Sequence, residues 1–192
     1  MVTGGNRGIG LEICRQLAAR SELRVILCSR DAAKGETAIK TIKNHILNIS
    51  SEVLDVSDAR SIETFAQRMA KQHGRCDVLI NNAGVMLDPR GSRVLDSKVE
   101  TWQDTLAVNL LGPLRLIQAL VPLMKKNRYG RIVNVSSGQG QLSDMGSGTP
   151  AYRVSKTALN ALTRTLAAEL HGSGILVNAM CPGWVKTDMG GP

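Results

Sequence analysis

The stretch Tyr152-Arg153-Val154-Ser155-Lys156 sets a phenol and an ammonium four residues apart. On a helix those positions share one face about 6 Å apart, so both groups reach a single site. A phenol with a pKa of about 10 is a poor proton donor or acceptor at neutral pH, and a neighbouring cation favours the phenolate. Lys156 is therefore expected to lower the pKa of Tyr152. The phenol would then serve as general acid toward a carbonyl and as general base in reverse. Taken alone, the pair also fits a half-buried aromatic beside a surface lysine.

A second chemical signal is Thr3-Gly4-Gly5-Asn6-Arg7-Gly8-Ile9-Gly10, between a short apolar stretch and a helical pattern. Glycines there let the backbone turn sharply and approach a pyrophosphate, whose charge a helix N-terminus favours. Gly4, Asn6, Arg7, Gly8, Ile9 and Gly10 are the candidate contacts, although the spacing differs from the common Gly-x-Gly-x-x-Gly fingerprint, and a tight connection that binds nothing is the plain alternative. In such turns an acid about twenty residues further on holds the ribose 2′-hydroxyl of NAD. Here that place falls in Cys28-Ser29-Arg30-Asp31, with Ser29 where the acid would be. Arg30 and Arg7 offer fork-shaped donors suited to the extra 2′-phosphate of NADP(H). Asp31 keeps NAD(H) open, and Arg30 could instead be a solvated residue after a strand.

Asn81-Asn82-Ala83-Gly84 and Ser136-Ser137 each follow a strand pattern. With the glycine turn and the Tyr152/Lys156 segment, these motifs resemble the short-chain dehydrogenase/reductase family, in its compact single-domain branch, from Val2 to Pro192. The resemblance implies an NADP(H)-dependent oxidoreductase that interconverts a ketone or aldehyde and an alcohol by hydride transfer. It places Ser137 against the substrate carbonyl oxygen, with Ser136 as rival because adjacent strand residues face opposite sides. Lys156 would also bond the nicotinamide ribose. Asn109 would hold a water that completes a proton relay to the lysine, or would merely bond a backbone carbonyl. Asn82, Ala83 and Gly84 would line the cofactor cleft. Asp55, followed by Val56, would receive the adenine amino group, with helix capping as the competing role. In Cys181-Pro182-Gly183-Trp184-Val185-Lys186-Thr187, Pro182, Gly183 and Val185 would form a cofactor loop and Thr187 would bond the carboxamide.

That last string is similar to carbonyl reductases, yet the long insertion that their monomeric members carry before the tyrosine is missing. The helices around Asn109 and Tyr152 are thus left able to form a homodimer or homotetramer. A C-terminal lid and last edge strand are also missing, and Met1 to Thr3 is short for a first strand, so the chain reads as clipped at both ends. Two other readings use similar residues. A nucleotide-sugar epimerase or dehydratase would show Thr-Gly-x-x-Gly-x-x-Gly and a larger sugar domain, whereas a non-catalytic NADP(H)-binding regulator has no use for Ser137, Tyr152, Lys156 and Asn109 together.

The elements that must position these groups alternate strictly. Strands are read at Met1–Thr3, 25–29, 51–55, 77–81, 131–136 and 175–180; helices at 8–20, 31–47, 59–73, 99–125 and 151–171. Asp58 precedes the helix at 59–73 as a cap, Gly74 follows that same helix, and Gly172 follows the one at 151–171. The pattern predicts an α/β fold: a doubly wound parallel sheet, Rossmann-like, with helices on both faces and one domain spanning 1–192. A net charge of +8 suggests an anionic ligand. The basic residues are scattered and aromatics are only 3%, which disfavours nucleic acid. Four dispersed cysteines signal neither disulfides nor a metal site. Arg115, Gln118 and two prolines interrupt the apolar stretch 106–124, which argues against a membrane span. No leader is read at Met1, so a reduced, cytoplasmic protein with a small-molecule carbonyl or alcohol substrate is expected. Arg30→Asp should shift coenzyme preference from NADPH toward NADH in steady-state kinetics; an unchanged ratio would remove the main support for 2′-phosphate recognition.

Overall fold

The computed structural model describes residues 1–42, 48–187, 189 and 191. Six parallel strands form one sheet: β1 (Val2–Thr3), β2 (Val25–Ser29), β3 (Ile49–Val53), β4 (Val78–Asn81), β5 (Gly130–Val135) and β6 (Ile175–Met180). Their order is β3-β2-β1-β4-β5-β6, so the winding reverses beside β1. Val2 pairs with Leu27 on one side and with Ile80 on the other. The expected doubly wound sheet is therefore the observed one.

Alternation along β2 shows how the sheet divides its faces. Val25 and Leu27 pack with Cys14, Ala18, Ala38 and Ile39, from α1 (Gly8–Ala18) and α2 (Ala32–Ile42). Ile26 and Cys28 join Phe65, Leu116, Leu120 and Met124, from α3 (Ala59–Gln72) and α5 (Gly112–Lys126). The end of α6 (Pro150–Glu169) contributes to that second layer through Leu166 and, just beyond the helix, Leu170. Asp58 caps α3 by accepting from the Arg60 N–H, and Gly74 and Gly172 take positive φ as expected.

The boundaries agree with the sequence within two residues where they can be compared; β3 is offset by two at both ends, and the long helix is composite. β3 begins at Ile49 instead of Ser51, because its register with β2 runs from Val25↔Ile49 to Ser29↔Val53. Pairing, which composition does not reveal, sets its ends and leaves Asp55 and Val56 beyond the sheet. The second helix reaches Ile42, and the rest of its expected span, 43–47, lies outside the described residues. The helix read at 99–125 is a continuous run composed of α4 (Val99–Leu106), a π turn (Ala107–Leu111) and α5. By length and composition the 28-residue run could cross a membrane, despite its two prolines. Its inward residues Leu116, Ile117, Leu120 and Met124 instead lie fully buried in the core. Pro113 follows directly on the π turn, as the second residue of α5.

Gly112 is where this run comes against Val56, just beyond β3. A Cβ there would lie 2.6 Å from the Val56 carbonyl oxygen, and backbone cannot step aside cheaply. Gly112→Ala should lower unfolding free energy by about 1 to 3 kcal/mol, the ordinary cost of overpacking, in a denaturant titration; an unchanged midpoint would show that α5 moves freely against Val56.

Candidate active site

The carboxyl ends of the strands are where an open α/β sheet holds its ligand, at the place where strand order reverses. The glycine turn follows β1, Ser29 ends β2, Asn82 to Gly84 follow β4, Ser136 and Ser137 follow β5, and the Cys181 loop follows β6. Topology thus brings the separate motifs to one edge.

Tyr152 and Lys156 lie on the inward face of α6 and are 8% and 4% exposed. The Lys156 Nζ donates to the Val135 carbonyl at 2.8 Å and stands 5.6 Å from the centre of the Tyr152 ring. Burial pulls the Lys156 pKa from 10.5 down to about 8. Burial also raises the pKa of Tyr152, while a hydrogen bond with Ser137 pulls it back and Cys181 pushes it further up. The expected lowering of the phenol pKa by the ammonium is therefore not what the structure shows. The cation lies by the ring and is bonded to a backbone carbonyl, and desolvation penalises both charged forms.

The Ser137 hydroxyl lies near enough to the Tyr152 phenol to hold its pKa down, which distinguishes Ser137 from Ser136. The latter is buried, and its Oγ has no partner among the described residues. Ser137 Oγ also accepts from the Gln139 N–H at 3.2 Å, closing the 3-10 turn Gly138–Gly140. That turn and another at Leu142–Asp144 give shape to a segment that composition presents only as a glycine-rich loop.

Asn109 occupies the π turn and is fully buried. Its Nδ2 donates to the Val85 carbonyl at 2.8 Å and to Ser155 Oγ at 3.0 Å, and its Oδ1 accepts from the Val85 N–H at 2.9 Å. Of the two roles considered, the backbone-bonding one is the one on display. The amide joins the segment after β4 to α6, one residue before Lys156. A Cβ at Gly84 would sit 3.4 Å from Asn109 Oδ1 and 3.5 Å from Lys156 Nζ, so the glycine keeps open the space beside both groups.

The glycine turn is held from behind. Asn82 Nδ2 donates to the carbonyls of Thr3 and Gly4, while Thr3 Oγ1 accepts from the N–H groups of Asn82 and Ala83. Asn82 and Ala83 thus brace the turn, and Gly84 faces the cleft. Gly4 and Gly8 have φ of +61° and +53°, and a Cβ on Gly10 would meet Gly4's carbonyl oxygen at 2.4 Å. Arg7 stands at the N-cap of α1 without a side-chain cap, followed by Gly8 and Ile9, and no acid occupies the first turn. The N-terminus is consequently suited to an anion. Asn6, at the middle of the turn, is half-buried.

Asp31 serves the start of α2. Its carboxylate accepts from the Lys34 N–H at 3.1 Å and faces Lys34 Nζ at 3.8 Å, at the start of α2. Ser29 Oγ accepts from the Asp31 N–H, and Arg30 is exposed beside them. Asp55 Oδ1 accepts from the N–H and the hydroxyl of Ser57, so the side chain shapes the turn into α3, and Val56 is buried against Gly112. Beyond β6, Pro182, Gly183 and Val185 lead to Thr187, whose methyl lies 3.5 Å from where a Gly8 Cβ would be. The loop after β6 therefore returns to the glycine turn. Sequence reading missed Asp88 and Ser155, both buried polar residues that bond to α6 backbone; their partners are set by tertiary contact and helix packing and carry no motif.

Two glycines with positive φ, an uncapped helix start and the space kept by Gly84 fit a dinucleotide, and the buried phenol and ammonium fit proton transfer beside it. Fold and site together define a dinucleotide-type α/β oxidoreductase. The profile of the short chain dehydrogenase family matches residues 1–192, and the chain belongs to that family. It is 36% identical to (+)-neomenthol dehydrogenase of Arabidopsis thaliana over 250 positions, covering 98% of this chain and 83% of the relative. Similarity to the 3-oxoacyl-(acyl-carrier-protein) reductase of Escherichia coli is 35% over 190 positions, 98% of this chain and 74% of that one. Carbonyl reductase 1 (NADPH) of Mus musculus is 31% identical over 235 positions, all of this chain and 83% of the relative. Since this chain has 192 residues, the plant and mouse relatives carry extra segments that the bacterial one does not. Among solved structures, a metagenomic short-chain oxidoreductase in complex with NADP superposes with a TM-score of 0.85 at 35% identity, over 94% of this chain and 80% of that one. An actinorhodin polyketide ketoreductase with NADPH gives 0.88 at 34%, over 98% and 71%.

A lysine whose folded pKa lies below its unfolded value opposes folding at lower pH, and the penalty lifts as pH rises between the two values. Relative to Lys156→Met, the wild type should gain roughly 3 kcal/mol of unfolding free energy between pH 8 and 10.5. A pH-independent difference in urea midpoints would show that the ammonium is not desolvated.

Proposed function

We propose that the chain is an NADP(H)-dependent carbonyl reductase or alcohol dehydrogenase of the short-chain type. The observation that carries this reading is the joint placement of Ser137, Tyr152 and Lys156 at the sheet edge that also holds the glycine turn. When bound, the coenzyme supplies or accepts a hydride at nicotinamide C4. The residues of the chain do the rest. The Ser137 and Tyr152 hydroxyls both donate to the substrate oxygen, stabilising the alkoxide as it develops. Tyr152 then transfers its proton, and its upward-shifted pKa keeps that proton in place at neutral pH. Lys156, buried and one helical turn away, would bond the nicotinamide ribose. Asn109 holds Val85 and Ser155 so that Gly84 remains beside the ammonium; its role in a water relay belongs to the same proposal.

Preference for the phosphorylated coenzyme is supported by Arg7 and Arg30 and by the capture of the Asp31 carboxylate at the start of α2. The names of the relatives, a neomenthol dehydrogenase, a 3-oxoacyl reductase and a carbonyl reductase, support the carbonyl and alcohol substrate class. Pairing into a homodimer or homotetramer is supported by Val99, Leu111 and Val154, apolar side chains exposed on the run of α4 and α5 and on α6. NADPH consumption against a panel of aldehydes, ketones and quinones tests the function. Tyr152→Phe should lower kcat by about 10²- to 10⁴-fold with NADPH affinity retained, and equal rates would remove the phenol from the reaction.

A further inference from the structure

Asp88 is an acid 8% exposed, outside every motif of the site. It lies on the segment that leaves β4, four residues after Gly84. One carboxylate oxygen accepts from the Ala151 N–H at 3.0 Å and the other from the Tyr152 N–H at 2.9 Å. Both donors belong to the first turn of α6, and one is the backbone of the residue that carries the phenol.

The local sequence explains why a remote acid is required. The first N–H groups of a helix have no partner within it, and a Ser, Thr, Asp or Asn at the N-cap ordinarily serves the second or third. That position in α6 is Thr149, but its backbone has φ +48° and ψ 55°, left-handed instead of extended. Its hydroxyl donates to Gln139 Oε1 at 2.7 Å, so it makes no cap. Pro150 brings no N–H. The donors left are those of Ala151 and Tyr152, and Asp88 accepts from both. A charged acceptor at this end also interacts favourably with the helix dipole.

We infer that Asp88 is a positioning residue: by clamping the Ala151 and Tyr152 amides it fixes the phenol relative to Ser137 and couples the segment after β4 to the catalytic helix. This rests on the proposed role of Tyr152 and adds a requirement to it. The same segment is bonded to the π turn through Val85 and Asn109, so the clamp and the amide tie it to helices on two sides. An asparagine at 88 keeps one acceptor and turns an NH₂ group toward the other N–H.

The test is Asp88→Asn in the full chain. Its kcat for NADPH-dependent carbonyl reduction should fall by about tenfold to a hundredfold, the scale of a misplaced catalytic group, with the NADPH dissociation constant held within about threefold by the intact glycine turn. Unchanged kcat in a folded variant would overturn the inference, as would loss of NADPH binding in step with kcat, which marks general destabilisation. Amide hydrogen exchange supplies a readout independent of turnover and of the variant's folding. In the wild type the Ala151 and Tyr152 amides should be protected well above the first-turn amides of α4, which lacks a side-chain cap. Exchange as fast as α4 would contradict the clamp. If the wild type reduces no carbonyl with NADPH, the functional reading fails while the exchange measurement still decides the clamp.

Discussion

Desolvation of an ammonium and a phenol on one face of one helix is the constraint to which the rest of the site answers. Lys156 and Tyr152 are both buried, and burial disfavours the charged form of each. Such a pair persists only if its surroundings hold it in place. The Val135 carbonyl takes the ammonium, Ser137 holds the phenol pKa down, and buried polar side chains hold α6 to the sheet. Asn81 donates to Asn134, which donates to Thr163 on α6; Asn109 donates to Ser155 on the same helix. These bonds lie in the low-dielectric interior, where each is stronger than it would be in water. Thus α6 is fixed in register with β5, and the two ionisable groups face the cleft.

The motifs that bear chemistry were legible because each needs residue types that are rare by chance at that spacing. Glycines with positive φ at positions 4 and 8, the serine beside the phenol, and the i, i+4 phenol and ammonium all stand where the pattern puts them. Strand and helix alternation carried the sheet topology for a similar reason, since parallel strands need crossovers.

What could not be read depends on partners distant in the chain. The ends of β3 follow its pairing with β2, and the carboxylate of Asp31 is claimed by a helix start that residue order alone does not reveal. The π turn around Asn109 has the composition of ordinary helix. The phenol shift was read with the wrong sign because spacing reports that a cation is near, while burial and the position of its bonding partner determine which effect wins. Asp88 had no visible role until Thr149 was seen in the left-handed region with its hydroxyl already engaged.

The account stands on a nicotinamide ring lying where this desolvated pair can serve it. NADPH bearing deuterium at C4 tests that most directly, with the alcohol product analysed by mass spectrometry. One deuterium should arrive on the former carbonyl carbon from only one of the two C4 positions, because a chiral cleft would offer a single face of the ring to the substrate. Product formed without label, or label drawn equally from both positions, would contradict it.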